Sequence, residues 1–370
     1  MSITLRAAIA DSRDAAAARR VPRFEPPAWL RGPHGQTVAA RYFFHGDLRL
    51  PATGHEISLE DGDRLLVLES IPDGWSDGDP AALLIHGLGS CAKAPYVVRV
   101  ARRLFRLGVR VVRMNLRGAG EGFGLARGIY HAGRTEDVRR TVAWLAARAT
   151  GSPIALVGFS LGGNLALKLA GEAAADPVPG LDCVLAANPP IDLAASAAQI
   201  GRPSNRLYDW NFTAWLKGQV GRLHARFPEL GPPDLAGVRS VRQFDHRYTA
   251  PRNGFSSADD YYGRSSARPW ISRATVPGLV VHAEDDPFIP AGSFAGAEFP
   301  ASIELDLIRH GGHLGYVSRR PWHGDHRWLD VRLSAWLADR WGLPEDRLDL
   351  APSRRIRRTT AQPGDPNRHA

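Results

Sequence analysis

Gly158-Phe159-Ser160-Leu161-Gly162 constrains this chain more than any other segment. It is preceded by a short apolar run, Pro153 to Val157, and followed by Leu161, Leu165 and Leu169 at helical spacing. The first pattern reads as a buried parallel strand and the second as an amphipathic helix, so a sharp turn at Ser160 must join them. Such a turn forces the serine into a strained backbone conformation and demands small neighbours, which Gly158, Gly162 and Gly163 supply. The hydroxyl then stands at a helix N-terminus, where the dipole and free N–H groups favour developing negative charge. In this context the segment reads as a nucleophile elbow.

A serine hydroxyl is a weak nucleophile at neutral pH and needs a histidine base oriented by a carboxylate. Downstream, the apolar run Val276 to Ala283 ends in Glu284-Asp285-Asp286-Pro287-Phe288-Ile289-Pro290. Either Asp285 or Asp286 can serve. The Asp-Pro-x-x-Pro turn favours Asp286 and leaves Asp285 as a turn cap or loop hydrogen-bonder. The next strand, Ile303 to Ile308, runs into Arg309-His310-Gly311-Gly312-His313. His313, on the glycine-rich loop, is the expected base; His310, nearer the strand end, reads as structural. The order Ser, Asp, His is the one that accompanies a G-x-S-x-G strand-to-helix turn, and it weighs against reading His313 as a loop histidine of no consequence. An oxyanion hole needs two backbone N–H groups. Leu161 follows the nucleophile, and Leu88 lies in His86-Gly87-Leu88-Gly89-Ser90, just after the strand Ala81 to Ile85.

The 370 residues, 44% hydrophobic, suffice for one large α/β domain with an insertion. The alternation of β and α patterns implies a mostly parallel sheet covered by helices on both faces. Residues 1–50 read as an irregular arm, 51–342 as the α/β domain and 343–370 as a basic, solvated tail. His55 to Ser70 reads as a hairpin turning at Asp61-Gly62, Thr135 as the N-cap of a helix reaching Arg148, and His326 to Arg340 as a last helix. From about 190 to 275 the alternation breaks in a stretch holding Trp210, Phe212, Trp215, Phe244, Tyr261 and Tyr262. It interrupts the sheet above the strand ends, so a helical cap enclosing an apolar pocket is expected.

No segment reaches the ~18 uninterrupted apolar residues of a membrane span, and Met1 to Arg20 lacks the apolar stretch of a secretory signal. Two cysteines, Cys91 and Cys183, give neither a disulfide framework nor metal-ligand spacing. A cytoplasmic protein without metal or organic cofactor is the reading, and His323, Asp325 and His326 read as a surface turn and helix start rather than a metal site. The net charge of +9 is mostly scattered arginine, not a nucleic-acid footprint. Its dense run, Arg354-Arg355-Ile356-Arg357-Arg358, leaves room for weak contact with phospholipid head groups, although a solvated tail is the favoured reading.

These residues together resemble the α/β-hydrolase superfamily, and within it the YheT-like branch that includes eukaryotic abhydrolase-domain lipases and yeast medium-chain fatty-acid ethyl ester synthases/esterases. The resemblance runs from about Phe24 to Trp341. It rests on Pro27-Ala28-Trp29-Leu30 with His34 and Gln36-Thr37, His86-Gly87-Leu88, Arg113 to Gly118, His131-Ala132-Gly133 with Thr135 and Asp137, and Gly158 to Asn164. Asn188-Pro189-Pro190, Phe244-Asp245 with Tyr248 to Pro251, Asp259 to Tyr262, Asp285 to Phe288 and Gly311 to His313 complete it. The family's nucleophile, acid and base fall on Ser160, Asp286 and His313. The resemblance implies hydrolysis of a carboxylic ester with a short or medium acyl chain, perhaps lipid-derived; acyl transfer or thioester hydrolysis would use the same triad. A non-catalytic binding protein on this fold would have no reason to keep Ser160, Asp286, His313 and the His86-Gly87 loop together.

Overall fold

The computed structural model describes residues 21–42, 48–322 and 324–344. Eight strands form one sheet: β1 (Thr53–Ser58), β2 (Arg64–Ser70), β3 (Ala81–Ile85), β4 (Arg110–Met114), β5 (Ile154–Phe159), β6 (Leu181–Ala187), β7 (Gly278–Ala283) and β8 (Ile303–Ile308). Their spatial order is β1-β2-β4-β3-β5-β6-β7-β8. β2 runs antiparallel to β1 and β4, and the remaining pairs are parallel. Parallel strands need helical crossovers that cover both faces, so their sequences are apolar throughout rather than alternating. Every residue of β3, β4, β5 and β7 is buried.

The period of two divides these side chains between two cores. Leu83, Ile85, Leu156, Val184 and Val280 face one core with Val138 and Val142 of the helix Thr135–Ala146 and Leu165 and Leu169 of the elbow helix Leu161–Glu172. Leu84, Val157, Phe159, Leu185 and Val281 face the other with Val97 and Leu104 of Pro95–Arg106 and Leu333 and Leu337 of Trp328–Trp341. The chain goes from β3 outward to β4 and then returns to the other side of β3 to make β5. That reversal opens a crevice at the carboxyl ends of β3 and β5, the place where open α/β sheets hold their sites.

Between β6 and β7 stand the helices Leu193–Ile200, Arg206–Arg226 and Ala258–Ser265, with the shorter helical segments Val241–Phe244, Asp245–Thr249 and Ala250–Arg252 between the last two and Arg268–Ile271 after them. Leu216, Val220, Leu223, Val241, Phe244 and Tyr248 give this region its own apolar cluster, which packs down on Ile129.

Three local expectations need correction. The arm is not irregular throughout: Pro33–Tyr42 is helical. Thr135 is not an N-cap; Arg134 holds that position without a side-chain bond, and the buried Thr135 is the first helical residue. The last helix begins at Trp328 because Val317–Trp322 and Asp325–Arg327 form a small antiparallel hairpin before it. The hairpin has a partner the linear pattern could not supply. Gln36, fully buried on the arm helix, donates to Leu30 O (3.0 Å) and Val317 O (3.1 Å) and accepts from Val317 N (2.8 Å). Residues 1–20, 43–47, 345–370 and His323 lie outside the described residues.

Gln36→Leu keeps the volume but orphans a buried amide and two carbonyls. It is expected to lower stability in urea by about 2–3 kcal/mol; a change below about 0.5 kcal/mol would show that the arm is not fastened by this side chain.

Candidate active site

Ser160 has φ +52° and ψ −122°, a conformation that costs a non-glycine residue roughly 1–3 kcal/mol. Close packing holds it there. A Cβ on Gly158 would collide with the Gly162 carbonyl and stand 2.6 Å from Gly163 Cα, and one on Gly162 would lie 2.7 Å from His86 O. The elbow helix is therefore pressed against the end of β3. Asn164, fully buried in its first turn, donates to Ala132 O and Ser265 O at 2.9 Å each and accepts from Ala267 N at 2.8 Å.

Ser160 Oγ lies 3.0 Å from His313 Nε2, and His313 Nδ1 lies 2.8 Å from Asp286 Oδ2. Asp286 is 4% exposed. Its Oδ1 accepts from the amides of Phe288 (2.8 Å) and Ile289 (3.2 Å), and its Oδ2 also accepts from Asn188 Nδ2 (2.7 Å). Burial pushes this carboxyl up, but His313 and the surrounding donors outweigh it and hold it below the ordinary carboxylate range. An ionised Asp286 only accepts, so Nδ1 of His313 carries the proton and Nε2 is left to accept from the serine hydroxyl.

Asp285 does not reach the imidazole. Its Oδ1 accepts from Gly312 N at 2.9 Å and its other oxygen lies 3.5 Å from His310 Nδ1, while burial raises its carboxyl. It fastens the His313 loop from one side. The arm fastens it from the other, since Thr37 Oγ1 accepts from His313 N at 2.9 Å and itself donates to Pro33 O. The approach leaves no room at Gly312, where a Cβ would run into Pro33 O and stand 2.7 Å from Thr37 Oγ1. Phe288 packs edge-on against the His313 ring at 4.9 Å.

The β3 loop passes directly over the serine: a Cβ on Gly87 would stand 2.9 Å from Ser160 Cβ. His86 sets its course, with Nε2 accepting from Leu116 N (3.1 Å) and Nδ1 donating to Gly87 O (2.8 Å). Burial lowers this histidine to about 4, so it is neutral, as that pair of bonds requires. The amides on either side of Leu88 are occupied, Gly87 N by Tyr96 Oη at 3.0 Å and Gly89 N by Tyr130 Oη at 2.8 Å. Among the described residues the Leu88 and Leu161 amides are engaged by no such bond.

Above this group a chamber of about 460 Å³ extends under the cap, walled largely by apolar side chains such as Leu88, Ile200, Phe212, Trp215, Leu216 and Phe288. Its polar lining includes Asp245, whose oxygens accept from Thr249 Oγ1 and Tyr262 Oη at 2.8 Å each. Burial raises that carboxyl to about 6.

Residues 80–319 match the family model described as the alpha/beta hydrolase fold. The chain belongs to the α/β-hydrolase fold family. It is 32% identical over 320 residues to YheT of Escherichia coli (strain K12), provisionally named an esterase, covering 85% of this chain and 92% of that one. Phospholipase ABHD3 of Mus musculus is 27% identical over 321 residues, covering 80% of this chain and 73% of that protein. Among solved structures, the Pyrococcus furiosus esterase Pf2001 superposes with a TM-score of 0.55 at 18% identity, over 86% of this chain and 98% of that chain, a likeness of fold.

In this hydrolase the structure brings Ser160, Asp286 and His313 together and sets Leu88 and Leu161 beside the serine loop. Asp325 and His326 are engaged elsewhere: Asp325 binds Arg103 Nη1 at 3.1 Å, and His326 Nδ1 lies 2.9 Å from Ser318 O. Residue chemistry alone missed Asn188, which bridges Asp286 to Gly312 O (3.2 Å) from a left-handed backbone position at φ +45°. Its only signal was the Asn-Pro-Pro at a strand end. Thr37 was missed in the same way; nothing local announces that it meets His313.

The buried histidines fix a pH dependence. His86 and His282 are lowered to about 4 and His131 to about 3, by burial first in each case. The unfolded chain takes up protons near pH 6.5 and the folded chain does not until about 4, so stability is full above 6.5 and lost as pH falls toward 4. Denaturant titrations should find a loss on the order of 2 kcal/mol per histidine by pH 5; a flat profile between pH 6.5 and 5 would mean these imidazoles are charged in the fold.

Proposed function

We propose that this protein hydrolyses carboxylic esters through Ser160, with His313 as base and Asp286 as the acid that orients it. The observation that carries the reading is the continuous hydrogen-bonded line from Asp286 Oδ2 through His313 to Ser160 Oγ, at 2.8 and 3.0 Å. His313 Nε2 takes the hydroxyl proton as Oγ attacks the ester carbonyl. The Leu88 and Leu161 amides receive the oxyanion, and Asp286 stabilises the imidazolium. His313 then protonates the leaving alcohol, giving an acyl-enzyme. Water, deprotonated by the same nitrogen, attacks the acyl carbon, and collapse releases the acid and restores Ser160.

The apolar chamber supports an apolar acyl chain as the substrate's main binding element. Relatives of Saccharomyces cerevisiae named monoacylglycerol lipase and medium-chain fatty acid ethyl ester synthase/esterase 2, 25% and 27% identical, support a lipid-derived ester and, by the second name, a medium acyl chain. The second name also supports an alcohol in place of water as acceptor, using the same acyl-enzyme. Both cysteines are free, and no helix among the described residues is long and apolar enough to cross a membrane. We propose the cytoplasm as the place of action.

Ser160→Ala is expected to lower turnover of a p-nitrophenyl ester by roughly 10⁴ to 10⁶ with the fold intact by circular dichroism. Asp286→Asn should lower it by about 10³ to 10⁴ and Asp285→Asn far less. Comparable activity in Ser160→Ala ends the mechanism, and the reverse ranking of the acids transfers the role to Asp285.

Chain length tests the chamber. Each buried methylene is worth up to about 0.8 kcal/mol, so kcat/KM should rise by at most ~4-fold per carbon and then level or fall once the chamber is full. Esters from acetate to palmitate, kept below micelle formation, give the profile; a flat one, or a preference for acetate, contradicts an acyl chamber.

A further inference from the structure

Six large hydrophobic side chains stand exposed among the described residues, and five of them sit on two short segments: Trp29, Val38 and Tyr42 on the arm, Leu207 and Trp210 at the start of the cap helix Arg206–Arg226. Val38 is 41% exposed, Tyr42 67%, Leu207 77% and Trp210 68%. Scattered singly, such residues mean nothing; gathered, they mark an interaction site. The two segments touch. His34 stacks on Tyr208 with ring centroids 5.6 Å apart, and its Nδ1 lies 3.3 Å from the Tyr208 hydroxyl. His34, Val38 and Tyr42 follow at i, i+4 and i+8 along one face of the arm helix. Val38, Tyr42 and Tyr208 also line the chamber. Val38 and Tyr42, both chamber lining and solvent-exposed, stand on its rim, so the apolar patch borders the chamber mouth.

The exposed charge on these two segments is basic. No aspartate or glutamate occurs from residue 26 to 42, where Arg31 is exposed. The cap segment adds exposed Arg202 and Arg206; its one acid, Asp209, is turned inward to accept from Val241 N at 2.8 Å. Among the described residues none of these three arginines pairs with a carboxylate.

We propose that this rim docks on the surface of an anionic phospholipid bilayer, so that the chamber mouth opens onto the lipid. Tyrosine and tryptophan sit at the head-group level of membranes, leucine and valine enter the acyl boundary, and arginines bind anionic head groups. A protein partner seated on the same patch would close the mouth; a bilayer leaves it facing a store of acyl chains. The inference rests on the reading that the chamber takes an acyl chain, but docking is measured without turnover, so the two fail separately.

The test is flotation of the full chain with vesicles of phosphatidylcholine, with and without phosphatidylglycerol. Neither Leu207 nor Trp210 lines the chamber, so Leu207→Ser/Trp210→Ser should leave cleavage of a soluble short-chain p-nitrophenyl ester unchanged. The same double variant should lower partitioning onto anionic vesicles by about tenfold or more. Arg202→Glu/Arg206→Glu should weaken binding to the anionic vesicles and leave binding to pure phosphatidylcholine unchanged. Unaltered vesicle binding by Leu207→Ser/Trp210→Ser would assign adhesion to another surface, the basic tail included, and overturn the proposal. So would a native chain that floats with neither vesicle, or a native dimer that this variant dissolves into monomers. If the soluble ester is not cleaved while docking holds, it is the proposed esterase function that falls.

Discussion

Backbone pressed against backbone at the switch point of the sheet is the constraint on which the site depends. Gly162 lies against the carbonyls of Ile85 and His86, Gly158 against Gly162 and Gly163, and Gly87 over Ser160. A methyl group at any of these positions would force apart the backbone segments that meet here, the elbow helix from β3 or β5, or the β3 loop from the serine. The strain at Ser160, φ +52°, is held by this contact and by the fully buried Asn164 beneath it. One geometric condition thus sets the direction of the Ser160 hydroxyl and brings the β3 loop over it.

The histidine is held by different means. Its loop holds Gly311 and Gly312 at positive φ, which glycine adopts freely, and Leu314 and Tyr316 in left-handed conformations that persist only where the surroundings over-determine them. Asp285 and Asn188 bind the Gly312 peptide, and Thr37 binds the His313 amide. Asn188 also meets the same Asp286 oxygen that faces the imidazole, so strand β6, strand β7 and the arm converge on one ring. Electrostatics follows: a buried carboxylate surrounded by four donors stays ionised and fixes which imidazole nitrogen is free to accept.

The parts of this arrangement legible in the sequence were those written in contiguous residues. The fully apolar runs at Leu83, Leu156 and Val280 announced buried parallel strands, and Gly158 to Gly163 announced the elbow, because each pattern and its physical cause lie within one turn or strand. Asp286 stood out from Asp285 through the proline turn. In the arm, Pro33 to Tyr42 has little amphipathic pattern, so no helix is legible there in the sequence. Its helix is fixed by Gln36 reaching Val317, 281 residues away, and by Thr37 reaching His313, 276 residues away. Contacts at that separation leave no local trace. The hairpin before Trp328 is hidden for the same reason: arm residues fasten it, Gln36 at Val317 and the Glu25 carbonyl, which accepts from Arg319 N.

The central claim is that this geometry makes Ser160, among all the serines of the chain, a nucleophile. Treating the native protein with a fluorophosphonate and mapping the adduct by peptide mass spectrometry tests it most directly, because the reagent reports an activated serine without any assumption about substrate. The expected result is a single adduct on Ser160, formed in the native chain and lost when His313 is replaced by alanine. An unlabelled protein, or an adduct on another residue, would contradict it.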